Sequence, residues 1–231
     1  MAEGEIAGMS DDGRSGGLPK RVERTPERWE NYYQITSGRP PRKTLVKALD
    51  LFDGGVGGAA DLGCGAGNET LAMLEAGWQV LAIDGQEKSI ERVKEVVPEK
   101  WADRLETQVA DFEGLALSAA AFDWINASFA LPFCPPEHFE AFWREVTGAV
   151  KVGGRLSGQL FGDHDSWADR PEMSCHSLEQ VKALLADFEL EFFEEEDNPE
   201  GQTAVGYAKH WHIFWFVGKK RVSGVKFQVS G

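Results

Sequence analysis

Ala59-Ala60-Asp61-Leu62-Gly63-Cys64-Gly65-Ala66-Gly67-Asn68-Glu69-Thr70 is the stretch from which the rest of the chain is read. It runs from a short apolar strand ending in an acid, through a turn with glycine at three alternate positions, into the start of a helix. Alternate glycines let the backbone turn sharply at positive φ and approach a ligand with no Cβ in the way. The helix N-terminus behind them offers unpaired N–H groups to that ligand.

A dinucleotide is the first candidate ligand, and the spacing argues against it. The dinucleotide fingerprint is G-x-G-x-x-G, whereas Gly63, Gly65 and Gly67 give G-x-G-x-G. The charge of Asp61 would also repel a pyrophosphate. An acid there suits a ligand that presents an ammonium group. S-adenosylmethionine (SAM), with an amino-acid tail, a sulfonium and an adenosine but no phosphate, is such a ligand. D-x-G-x-G-x-G after an apolar strand resembles motif I of the class I SAM-dependent methyltransferases. A nicotinamide-dependent oxidoreductase is the weaker alternative. A SAM-binding relative without turnover is another, because these residues report binding and not catalysis.

Composition narrows the partners. With 231 residues, 42% hydrophobic and 27% charged, one soluble domain with a sizeable core is expected. The formal net charge of −14 opposes a nucleic acid or an anionic membrane, both of which need a basic face. A small-molecule substrate is the expected partner. Cys64, Cys134 and Cys175 are scattered, without C-x-x-C spacing, and read as free thiols in a reducing cytosol. No apolar run reaches transmembrane length, and the polar, acidic N-terminus does not read as a signal peptide. A cytoplasmic protein is expected.

Residues 1–19 are rich in Gly, Ser, Asp and Glu and read as a disordered leader. Residues 20–231 read as one domain, with N-terminal lid helices at about 25–52. Thr25 is a candidate N-cap and Pro26 a first helical residue. Strands are expected at 59–62, 78–83 (ending at Asp84), 105–110 (ending at Asp111-Phe112) and 121–127. The Gly153-Gly154 pair reads as a turn leading into a fifth strand that ends near Gly162. A sixth follows at 188–194 and a seventh at 208–217, with Asp197-Asn198-Pro199-Glu200-Gly201 as the turn between them. Helices are expected between the first six strands, at 68–76, 89–97, 136–150 and 177–186. The last begins with a Ser177/Gln180 capping box. Alternating β and α implies a parallel sheet, and the short final connection implies an antiparallel pair. This pattern resembles the class I methyltransferase architecture: an α/β, Rossmann-like, seven-stranded, mostly parallel sheet of order 3-2-1-4-5-7-6. Strand 7 is antiparallel in it, and helices cover both faces. In detail the chain looks most like small bacterial methyltransferases of small molecules, near the tellurite-resistance and thiopurine groups.

The candidate site follows the strand ends. The SAM tail is expected at Asp61, Gly63, Cys64, Gly65 and Gly67, with Arg39 against its carboxylate and Tyr33 covering it. Asp84 is placed to bind the ribose hydroxyls, bordered by Gly85 and Gln86. Asp111 can accept from the adenine amino group, and Phe112 can stack on the ring. Ala127, Ser128 and Phe129, after the fourth strand, should touch both tail and acceptor. Trp29, Tyr32, Phe133, Phe161, Trp167 and His212 are the candidate acceptor pocket, suited to an aromatic or cationic molecule. His164, between Asp163 and Asp165, is the candidate general base if the acceptor carries a proton. A metal is not expected. Three adjacent loop residues rarely present side chains to one ion, and His210 with His212 on a strand lacks an evident third ligand.

Overall fold

The computed structural model describes residues 26–222. The expected leader at 1–19, the Thr25 cap and the tail from 223 onward lie outside the described residues. Helix α1 (Pro26–Thr36) and helix α2 (Lys43–Phe52) precede strand β1 (Gly58–Leu62). Helix α3 (Asn68–Glu75), strand β2 (Gln79–Asp84), helix α4 (Glu87–Val96), strand β3 (Leu105–Val109) and strand β4 (Phe122–Ala127) follow. Then come helix α5 (Pro136–Ala149), strand β5 (Val150–Gly162), a two-residue strand β6 (Cys175–His176) and helix α6 (Leu178–Leu184). Strands β7 (Phe188–Gln202) and β8 (Ala208–Lys220) end the described chain.

The strands form one sheet of order β3-β2-β1-β4-β5-β8-β7, with β6 paired to β5 off this path. With β6 set aside, this is the expected order. Strand β8 runs antiparallel to both β5 and β7, and the other pairings are parallel. Period-two alternation sorts the core into two layers. Ala60, Leu62, Ile125, Ala127, Phe214 and Phe216 pack under α5 and α6 with Phe142 and Val146. Ala59, Val80, Trp124 and Val217 face the other way, against Leu45 of α2, Met73 of α3 and Val93 of α4. On that side Phe52, Trp78 and Trp124 form an aromatic cluster with centroids 4.5, 5.2 and 5.6 Å apart. Such pairs contribute about 0.5–1.5 kcal/mol each beyond their burial.

Two local expectations are corrected. The Gly153-Gly154 turn does not precede β5 but lies inside it. Phe122 pairs with Val150 and Trp124 with Arg155, so residues 151–154 bulge out of the ladder. Asp197–Gly201 is likewise not a turn. It lies within β7, where the register with β8 slips between Asn198 and Gly201. Pro199 sits in that slip, where a missing N–H breaks no ladder bond. A Cβ on Gly201 would lie 2.3 Å from Trp211, so glycine is what lets the indole cross the strand there. The reversal comes later, where Thr203 N–H donates to Tyr207 O at 2.8 Å. His176 lies in β6, and burial pushes its imidazole down to about 4. The α6 capping box is formed as expected, with Gln180 and Ser177 bonded reciprocally.

Candidate functional site

The glycine turn is tied to the end of β2. Gly63 and Cys64 N–H both donate to Ile83 O, at 2.8 and 3.0 Å. Gly65 N–H donates to Asp84 Oδ2 at 2.9 Å, and Ser89 Oγ donates to Gly65 O at 2.7 Å. All three glycines have positive φ. A Cβ on Gly63 would lie 2.7 Å from Ala130, and one on Gly67 3.0 Å from Val96, so the turn is also pressed against the β4 loop and α4. Asp84 also accepts Gln86 N–H at 2.9 Å and lies 3.4 Å from Tyr33 Oη. Burial raises its pKa against the pull of these donors.

Asp61 does not reach the open side of the turn. It is buried, accepting Thr70 Oγ1–H at 2.6 Å and Asn126 Nδ2–H at 2.9 Å. Burial first, and the Glu69 charge second, push its carboxyl up to about 7. Asp61, the penultimate residue of β1, therefore holds α3 and β4 together behind the turn, while Asp84 lines the cavity.

In front of the turn is a cavity of about 860 Å³. It brings together most of the expected residues. Gly63, Cys64, Gly65, Asp84, Gly85, Gln86, Asp111, Phe112 and Ser128 line one part, with Arg39 and Tyr33. Trp29, Tyr32, Phe129, Phe133, Phe161 and Trp167 line the rest. Asp61, Gly67, Ala127, His164 and His212 are not in the lining. Helix α1 spans the two parts. Trp29 stacks on Tyr33 (5.9 Å, 19°) and meets Phe133 edge-on at 5.8 Å.

Phe129 holds a φ of +53°, unusual for a bulky residue. Its N–H donates to the buried Gln159 Oε1 at 2.6 Å, and the Arg42 guanidinium lies 4.6 Å from its ring centre. The conformation projects the ring toward Phe161, Trp211 and Trp215, at 6.0, 6.0 and 5.4 Å. Behind Trp167 and Trp211 the Lys209 ammonium is buried, 4.0 and 4.1 Å from their rings, and paired with Asp165. Burial pushes Lys209 down to about 8.

His164 stands apart from the cavity. Its side chain is 62% exposed, and its Nδ1 lies 2.9 Å from Asp197 Oδ2, so Asp197 and not a loop neighbour orients the ring. His212 faces away for a simple reason: alternation along β8 turns Trp211, Ile213 and Trp215 into the cavity and His210 and His212 to the opposite side.

Residues 59–154 match the family model described as a methyltransferase domain. The sheet order is that of the class I methyltransferase fold, which the solved structures below share. No curated protein matches the sequence at a significant level. Among solved structures, the methyltransferase fold is shared with TehB from Haemophilus influenzae: 18% identity, 84% of this chain and 67% of that one, TM-score 0.65. It is also shared with 1,6-didemethyltoxoflavin-N1-methyltransferase from Burkholderia thailandensis, solved with 1,6-didemethyltoxoflavin and S-adenosylhomocysteine. That match has 18% identity, covers 78% of this chain and 79% of that one, and has a TM-score of 0.58. A SAM-dependent methyltransferase from Mesorhizobium loti is 20% identical over 75% of this chain and 96% of its own, with a TM-score of 0.57. Among the described residues no helix is long and apolar enough to cross a membrane.

The cavity also includes residues that sequence reasoning passed over. Trp211, Ile213 and Trp215 form one wall, and Gln202, Thr203, Ala204, Val205 and Tyr207 at the β7–β8 reversal form the rim. The first group had a signal, since aromatic or branched residues recur there at i, i+2 and i+4. The rim had none, because the bulge at Pro199 concealed how far the hairpin extends.

Proposed function

We propose that the protein transfers the methyl group of SAM to a small aromatic or heteroaromatic acceptor in the cytoplasm. The balance of charge around the cavity carries this reading. Glu69, Asp84, Asp111, Glu113 and Glu196 line it against Arg39 and Arg42. A predominantly anionic lining with two arginines suits a ligand that bears a sulfonium, an ammonium and one carboxylate, and it opposes a diphosphate. The volume lies within the range of small-molecule sites.

In this reading the Gly63–Gly65 turn and Ser128 cradle the amino-acid tail, and Arg39 pairs with its carboxylate. Asp84 accepts the ribose hydroxyls beside Gly85 and Gln86. Asp111 and Phe112 take the adenine. When bound, SAM supplies an electrophilic methyl group, which a nucleophile receives by in-line displacement, leaving S-adenosylhomocysteine. Trp29, Tyr32, Phe133, Phe161 and Trp167 would orient a flat acceptor and exclude water. The 1,6-didemethyltoxoflavin-N1-methyltransferase named above was solved with 1,6-didemethyltoxoflavin bound, which agrees with a small-molecule acceptor. His164 lies outside the cavity lining, so it is not proposed as the base. The residues that remain orient the acceptor and leave its nucleophile to the acceptor's own chemistry.

Calorimetry tests the donor site. SAM and S-adenosylhomocysteine should bind and NAD should not, and NAD binding without SAM binding would overturn the reading. A turnover panel of heteroaromatic N- and O-nucleophiles, aliphatic amines and thiols then tests the acceptor class. S-adenosylhomocysteine should form with heteroaromatics, and turnover confined to aliphatic amines or thiols would sink the aromatic assignment.

A further inference from the structure

On the face of β8 that points away from the cavity, the fold gathers side chains that lie far apart in the sequence. Asp163 and His164 come from the loop after β5, His210 and His212 from β8, and Glu195 and Asp197 from β7. The His164 and His212 rings stack at 4.7 Å and 24°. His212 is 2% exposed, whereas Asp163 and His164 are open to solvent.

The carboxylates decide which ring nitrogens carry protons. An ionised carboxylate only accepts, so the imidazole nitrogen beside it is an N–H. His164 Nδ1 lies 2.9 Å from Asp197 Oδ2, which leaves its Nε2 with the lone pair. His212 Nε2 lies 3.1 Å from Glu195 Oε1, which leaves its Nδ1 with the lone pair. Both lone-pair nitrogens border the same acid: Asp163 Oδ1 is 4.0 Å from His164 Nε2 and 3.6 Å from His212 Nδ1. Ligand atoms of Asp163, His164 and His212 all lie within 4.8 Å of one another. Two imidazoles, each steadied through its far nitrogen by an outer carboxylate, are how protein metal ligands are commonly held. His210 Nε2 bonds the other oxygen of Asp197 and fixes that outer carboxylate in turn.

We propose that Asp163, His164 and His212 bind a divalent transition-metal ion of the zinc, cobalt or nickel class, outside the methyl-transfer cavity, with water completing its coordination. A donor set of two imidazoles and one carboxylate suits these borderline ions and not calcium or magnesium, which take oxygen ligands. On binding, the ion replaces the bond from the His164 N–H to His212 Nδ1, now 3.1 Å. It also clamps the β5 loop onto β8. Two residues farther on, Asp165 accepts the N–H groups of both His212 and Trp167, so the clamped loop is the one that carries Trp167 into the cavity wall.

Untagged full-length protein, stripped with a chelator, should be titrated with ZnCl2 by calorimetry and with CoCl2 by visible absorption. One ion per chain is expected, together with a rise in melting temperature. His164→Ala, at an exposed position, should weaken Zn2+ binding by about 10-fold or more, and so should His212→Gln. Asp197→Ala should weaken it within the 10–100-fold range typical of an outer partner. His138→Ala, on the exposed start of α5, should change nothing. Absence of saturable Zn2+ and Co2+ binding overturns the proposal. So does binding that survives His164→Ala unchanged, a result that stands even if His212→Gln fails to fold.

Discussion

Asp84 Oδ2 accepts the N–H of Gly65 at 2.9 Å, so the acid at the end of β2 holds the glycine turn at the end of β1. One carboxylate thus shapes the proposed tail site while serving as the proposed ribose site. Asp84→Ala should weaken SAM binding by about 1–3 kcal/mol, the scale of a lost charged hydrogen bond. Asp84→Asn, which keeps an acceptor, should lose less. Calorimetry with SAM measures both, and wild-type affinity in Asp84→Ala would remove the residue from the site.

Tyr33 competes for the same carboxylate. A carboxylate offers about four acceptor positions, and Asp84 already takes Gly65 N–H and Gln86 N–H, with Tyr33 Oη at 3.4 Å. Two ribose hydroxyls would fill what the backbone leaves only if the phenol withdraws. Tyr33→Phe should therefore bind SAM at least as tightly as the wild type. A tenfold loss of affinity would mean that the hydroxyl contacts the ligand instead.

Trp167 tests the division of the cavity. It lies 6.2 Å from Phe133 and 6.0 Å from Phe161 in the proposed acceptor wall. Trp167→Leu should raise the acceptor KM by about 10-fold, the equivalent of one lost aromatic contact. The SAM dissociation constant should stay as it was. A change in SAM affinity with an unaltered acceptor KM would place this ring on the donor side.

Asp61 gives a pH signature. Its folded carboxyl titrates at about 7, against 3.8 when unperturbed. Between those values the folded chain holds a proton that the unfolded chain has released, so stability falls as pH rises through this window. Asp61→Asn, which can still bond Thr70 and Asn126, should flatten that fall. Urea midpoints at about pH 5 and pH 7.5 make the comparison, and parallel slopes for the two proteins would count against a buried, proton-holding Asp61.

How far the sequence could be read depended on how local each cause was. The Asp61–Thr70 strand-turn-helix, apolar strands such as Gln79–Asp84 and the Ser177/Gln180 box are set by neighbours a few residues apart, and they formed as expected. These local signals sufficed to place the strands and the acids Asp84 and Asp111 that line the cavity, while the sheet order came with the family resemblance they carry. Only the tertiary structure decided what lay between distant segments. It turned Asp61 inward to Thr70 and Asn126, because a buried acid takes the nearest donors. It carried β7 through Asn198-Pro199, because a bulge absorbs the proline that reads as a turn. It chose Trp211's face of β8 for the cavity and brought His212 to Asp163 and His164, residues the chain keeps far from it. Backbone propensity and spacing act over one turn or one strand, whereas the partner of a side chain across a sheet is chosen by register, which a single segment does not contain.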